Sequence, residues 1–182
     1  MPLYTHGARG AIPTRDLCIF AALAAMLFLS RIGLQWIPGI HPMALIIAAM
    51  TLRYRVRALI PLYSYILLDG VFAGFSLWWI PYLYVWLPLW AVFMLAGKLD
   101  VSLKVKAPLY MVLCALHGLS FGVLYAPAQA LMFGFSFRAT VAWVIAGLPF
   151  DVVHAIGNFA AGTLVVPLTS LLTKLDRGQY RI

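Results

Sequence analysis

Leu17-Cys18-Ile19-Phe20-Ala21-Ala22-Leu23-Ala24-Ala25-Met26-Leu27-Phe28-Leu29 carries no charge. Arg15 and Asp16 stand before it, and Ser30 and Arg31 follow. A run of this kind with basic residues ahead of it resembles a secretory signal. The rest of the chain argues for a retained first span, because similar apolar runs recur to the end. Of the 182 residues, 64% are hydrophobic and only 10% charged. An ordinary soluble domain is about 45–50% apolar and about 25% charged. Too little polar surface remains to cover a water-soluble globule. A bilayer is the matching solvent, with about 20 apolar residues for each crossing helix. This composition excludes a disordered chain, a nucleic-acid reader and a conventional soluble enzyme.

Working outward from that run, the sequence predicts an all-α membrane protein with six transmembrane helices in one integral membrane domain, 1–182. The spans fall at about 15–36, 42–52, 56–77, 79–97, 107–126 and 149–172. Pro38, Gly39 and Pro42 make a turn after the first span, since two prolines and a glycine cannot continue a helix. Gly97 closes the fourth span and Pro127 the fifth. Gly134, Ser136 and Arg138 interrupt residues 128–148, leaving an apolar run too short to cross. This stretch therefore reads as a long, partly helical outer segment. Pro149 suits the first turn of the last span, and Asp151 the positive end of its dipole.

Charge sets the expected orientation. All five acidic residues are Asp, and thirteen bases give a net charge of +8. The bases cluster at the ends of apolar runs: Arg9 and Arg15; Arg53, Arg55 and Arg57; Lys98, Lys104 and Lys106; Lys174, Arg177 and Arg181. Only Arg31 and Arg138 lie elsewhere. Short basic loops are held in the cytoplasm, so both termini and the second and fourth loops are expected inside. Cys18 and Cys114 share no metal or redox spacing.

Small residues recur four apart at Ala21/Ala25, Ala44/Ala48, Gly70/Gly74, Gly118/Gly122 and Gly157/Ala161. That spacing lets helix backbones approach closely in lipid. It serves either packing within the bundle or docking of another membrane subunit. The first helix, small over nearly a full turn at Ala21, Ala22, Ala24 and Ala25, is the best docking candidate.

Polar groups inside a membrane are costly and need a partner or a purpose. Asp151, His154 and Asn158 fall at i, i+3 and i+7, one face of a helix. His117 lies at a depth that brings it within reach of the same pocket. Trp79, Tyr82 and Trp86 share a face near the outer end of span four, with Trp36, Trp78 and Tyr125 at similar height. These rings serve either as an interfacial belt or as a cage for a planar or cationic ligand. Arg31 and Asp69 read as a buried ion pair, or Arg31 as a side chain reaching the surface, ahead of ligand contact. Two alternatives stay open: a membrane-embedded enzyme using Asp151 and His154 as acid and base, and a haem-binding membrane protein using the histidines. The histidine spacing supports the second weakly. No metal site is predicted. No GxxxxGK[ST] phosphate loop occurs, so ATP-driven work would need other subunits.

Three stretches resemble a known family. They are Phe20-Ala21-Ala22-Leu23-Ala24-Ala25-Met26, the run from Leu68-Asp69-Gly70 through Trp78-Trp79-Ile80-Pro81-Tyr82 to Trp86, and Gly147-Leu148-Pro149-Phe150-Asp151-Val152-Val153-His154-Ala155-Ile156-Gly157-Asn158-Phe159. The chain resembles the S-components, the substrate-binding membrane subunits of energy-coupling factor (ECF) transporters. The resemblance implies a six-helix bundle that captures a vitamin or similar micronutrient from outside, with no cofactor. It implies docking on a transmembrane coupling subunit driven by two cytoplasmic ATPases. The docking contact carries over to Ala21 and Ala25. The outer pocket carries over to Trp79, Tyr82, His117, Asp151, His154 and Asn158, with Trp36 and His41 as its cap; Trp86 joins it as the deeper ring of the aromatic face.

Overall fold

The computed structural model describes residues 12–34, 36–37 and 41–176. Among them the chain is helical throughout, with no strand. Five helical stretches are long and apolar enough to cross a membrane: Thr14–Gly33, Met43–Ala73, Leu77–Ala96, Leu103–Phe133 and Phe137–Gly162. This is the build of a multi-pass membrane protein.

Helix α1 (Thr14–Gly33) starts behind Pro13, which has no N–H to leave unpaired. It buries Phe20, Leu23, Ala24 and Leu27, a stripe at helical period. Ala21, Ala22 and Ala25 lie on its outward face. Helix α2 (Met43–Tyr54) behaves differently, burying every residue from Met43 to Thr51. The Thr51 hydroxyl needs no outside partner, because it donates to the Ile47 carbonyl at 2.7 Å. Surrounded by protein, α2 need not match the full thickness of a bilayer, and its 12 residues suffice.

The chain reverses at Arg55, whose φ of 57° is the one positive value at a non-glycine position among the described residues. Such a conformation costs about 1–3 kcal/mol and persists only where neighbours hold it. Here the Arg55 guanidinium donates to the Met94 carbonyl at 2.5 Å, and Trp90 Nε1 donates to the Arg55 carbonyl at 3.2 Å. A 3-10 turn (Arg55–Ala58) then leads into α3 (Leu59–Ala73). Contacts at both ends fix the directions. Asp16 and Arg31, near the two ends of α1, meet Arg57 and Asp69, so α1 and α3 run in the same sense. Ser30 meets Met43 at the start of α2, which runs the opposite way.

A 3-10 turn (Leu77–Trp79), a short α4 (Tyr82–Val85) and α5 (Leu87–Ala96) return toward Arg55. Pro81 and Pro88 break this pass into pieces. Helices α6 (Leu103–Leu119) and α7 (Phe121–Phe133) form one long arm bent at Ser120. Helix α8 (Phe137–Gly162) lies antiparallel to it, with Met111 against Gly162, Gly118 against His154 and Ala155, and Gly122 against Asp151. Helix α9 (Val165–Asp176) completes the descent, where Arg53 pairs with Asp176.

The last third departs from the sequence expectation. Residues 128–148, expected as a partly helical outer segment, are helical but for the turn at 134–136, and the last helix does not begin at Pro149. Helix α7 passes through Pro127, and α8 passes through Pro149. Prolines are tolerated this way in membrane helices, where neighbours re-satisfy the freed carbonyl and open backbone costs more. Gly134 and Ser136, read as interruptions, are the caps of a tight hairpin. Gly134 ends α7 at φ 65°, a left-handed conformation suited to glycine. Ser136 Oγ accepts from the Ala139 N–H at 3.2 Å and starts α8. Leu131 and Phe137 at the hairpin are 86% and 85% exposed.

Candidate ligand pocket

The close approach of α6 and α8 builds one wall of the pocket. A Cβ at Gly118 would lie 2.8 Å from Asn158 Nδ2 and from the His154 backbone. Only glycine admits that contact, and it places His117, His154 and Asn158 around one space. The bend at Ser120 frees N–H groups in the first turn of α7. Asp151 takes one of them: its two carboxylate oxygens lie 3.1 and 3.2 Å from the Gly122 nitrogen.

The cavity that results holds about 240 Å³. It is lined from α1 by Arg31, from the start of α2 by Met43 and Ala44, and from α3 by Tyr65. Tyr82, Trp86, His117, Gly118, Phe121, His154 and Asn158 complete the lining, together with His41. Rings dominate. Trp86 stacks on His117 with centroids 5.4 Å apart and planes at 26°. Phe121 stacks on His154 at 5.6 Å and 23°. His41 stands 6.2 Å from His154, and Tyr82 stands 6.3 Å from Trp86.

His117 Nε2 lies 2.9 Å from the Val85 carbonyl. A carbonyl only accepts, so this nitrogen carries the proton and Nδ1 of the neutral ring is an acceptor. His154 Nδ1 donates to the Phe150 carbonyl at 3.1 Å. Arg31 is the one Lys, Arg, Asp or Glu among the lining residues. It pairs with Asp69 and sits 5.3 Å over the Trp78 ring. Helix α1 is thereby tied to α3 and to the following turn beside the cavity.

Of the residues predicted for the pocket, His41, Tyr82, Trp86, His117, His154 and Asn158 line this cavity. Three do not. Trp36 is 84% exposed, and residues 38–40 of its turn lie outside the described residues. Trp79 donates to the Ile66 carbonyl at 2.8 Å and packs over Gly70 beside Phe75. Asp151 faces Gly122, so its carboxylate completes a helix start rather than a ligand shell. Ala21 and Ala25, the docking candidates, face outward.

Sequence reasoning missed Tyr65 and Phe121. Phe121 falls four residues after His117, a spacing that shares a helix face and could have found it. Tyr65, 1% exposed, gave no comparable signal within an evenly apolar helix. Among the described residues no group of three or more His, Cys, Asp or Glu side chains could hold a metal ion. No family model, curated protein or solved structure matches the chain.

Proposed function

We propose that this chain is the substrate-capture subunit of an ECF-type importer, taking up a vitamin or related small micronutrient. The observation that carries the reading is a ring-lined polar cavity at one end of a helical bundle whose opposite end gathers basic residues. Arg15, Arg53, Arg55 and Arg57 meet Leu175, Asp176, Met94 and Asp16 at that opposite end. With short basic loops in the cytoplasm, the cavity opens outward. Counting the reversal at Arg55, and α8 with α9 as one pass, gives six passes with both termini inside.

The outward face of α1 suits a second membrane subunit. Ala21 and Ala25 let a partner helix come close, and an apolar groove of about 550 Å³ continues beside them. Met26, Leu29, Leu45, Ile46, Leu168 and Leu171 line the groove. That subunit and two cytoplasmic ATPases would supply the driving force, since the chain has no phosphate loop. An enzyme built on Asp151 and His154 is less well supported, because Asp151 is engaged with Gly122. A haem is less well supported too, because His117 Nε2 is engaged with the Val85 carbonyl and His154 Nδ1 with the Phe150 carbonyl.

Native mass spectrometry of the purified chain should reveal a co-purified small molecule. Cells producing the chain with its coupling subunit and ATPases should accumulate that molecule. Ala25→Leu should abolish accumulation while leaving binding intact. Chemical conversion of the molecule by the chain alone would point to the enzyme instead.

A further inference from the structure

Two buried polar atoms beside the cavity have no hydrogen-bond partner. They are Trp86 Nε1, on a side chain 8% exposed, and His117 Nδ1, on one 6% exposed. Buried polar groups are nearly always satisfied, so each such atom needs an explanation. The first is an N–H donor, and the second is an acceptor in the tautomer that Val85 selects. The two rings are stacked on each other and both residues line the cavity, so donor and acceptor belong to one wall.

We infer that the cavity takes an uncharged, flat nitrogen heterocycle that presents a hydrogen-bond acceptor and an N–H next to each other on one edge. The acceptor would receive the Trp86 N–H, and the ligand N–H would go to His117 Nδ1. The inference deepens the capture reading and rests on it. Size agrees. At about 240 Å³ the space equals about eight water molecules of roughly 30 Å³ each, enough for one or two fused rings. Shape agrees, because flat rings stack well on flat rings. Charge agrees too, because Arg31 is already matched by Asp69 and no carboxylate lines the space. A cation would find no counter-charge there, and an anion would meet a guanidinium whose charge Asp69 already balances.

The test uses the purified full-length chain in detergent, with tryptophan quenching and thermal shift as readouts. Hypoxanthine, lumazine and 2-aminopyrimidine carry the adjacent edge. Quinoxaline is flat and neutral but has no N–H. Benzoate and N-methylpyridinium supply the two charges. At least one edge-bearing probe is expected to bind about tenfold or more tighter than quinoxaline and both ions. His117→Phe and Trp86→Phe keep a ring but remove the polar atom, and should bring that probe down to the level of quinoxaline. Should a variant fail to fold, the ranking on the unaltered chain decides alone. The inference is overturned if an ion binds best, if quinoxaline equals the edge-bearing probes, or if none of those probes binds. Accumulation of the bound probe by cells carrying the ATPases is scored separately. Binding without accumulation leaves the ligand class standing and removes the capture reading.

Discussion

At one end of the bundle Arg31 and Asp69 join α1 to α3 beside the cavity. At the other, Arg57 and Arg53 join Asp16 and Asp176, tying α1 and α9 to the corner after α2. The chemistry is the same and the surroundings are not. Asp69 is 1% exposed, whereas the Arg57 and Asp16 side chains are 40% and 19% exposed. A buried carboxylate that loses its partner keeps its full desolvation cost. An exposed one is re-solvated, and its pair contributes little. The Arg31–Asp69 pair at the cavity end is thus costly to break from one side, whereas the more exposed Arg57–Asp16 pair at the basic end is not.

The largest effect should come from Arg31→Met, which leaves Asp69 uncompensated and costs on the order of 3 kcal/mol. Adding Asp69→Leu should recover most of that loss in detergent unfolding. A double variant as unstable as the single one would show that the pair does not act as a unit. Next, Gly118→Leu should cost roughly 1–3 kcal/mol by forcing α6 from α8. Gly147→Leu, with no atom within 4 Å of the added Cβ, should cost almost nothing. Equal effects at the two glycines would break the claim that close approach shapes the cavity end. Asp151→Ala should cost about 1 kcal/mol, as for a lost helix cap, and Asp151→Asn less. Affinity measured beside unfolding checks the assignment, since a carboxylate acting only on α7 should not be needed for ligand contact. The smallest effect belongs to the basic end. Arg57→Gln should cost about 0–1 kcal/mol and nothing measurable in 1 M salt, where exposed charges are screened. A larger, salt-insensitive loss would erase the difference between the ends.

Much of this was legible in the chain itself. The apolar runs predicted helices in lipid, and the basic clusters marked one end of the bundle. The positions of Arg31 and Asp69 suggested a buried pair. The i, i+3, i+7 spacing put His154 and Asn158 on one face, and both line the cavity. The same spacing misled at Asp151, because a shared face says nothing of which neighbour lies opposite. Trp79 was misread for a similar reason: three aromatics on one face look alike in sequence, yet one packs over Gly70. Pro127 and Pro149 were read by the rules of soluble helices, and the helices run through both.

The chain by itself determined its solvent, its helical class and the clustering of its charges at one end. Those properties follow from transfer free energies that each residue carries wherever it sits. Only the tertiary structure decided that the short second helix is the core, that Asp151 completes a helix start, and that Trp86 and His117 leave a donor and an acceptor unpaired. Those depend on which atoms far apart in sequence come within a few ångströms, and local pattern does not encode that distance.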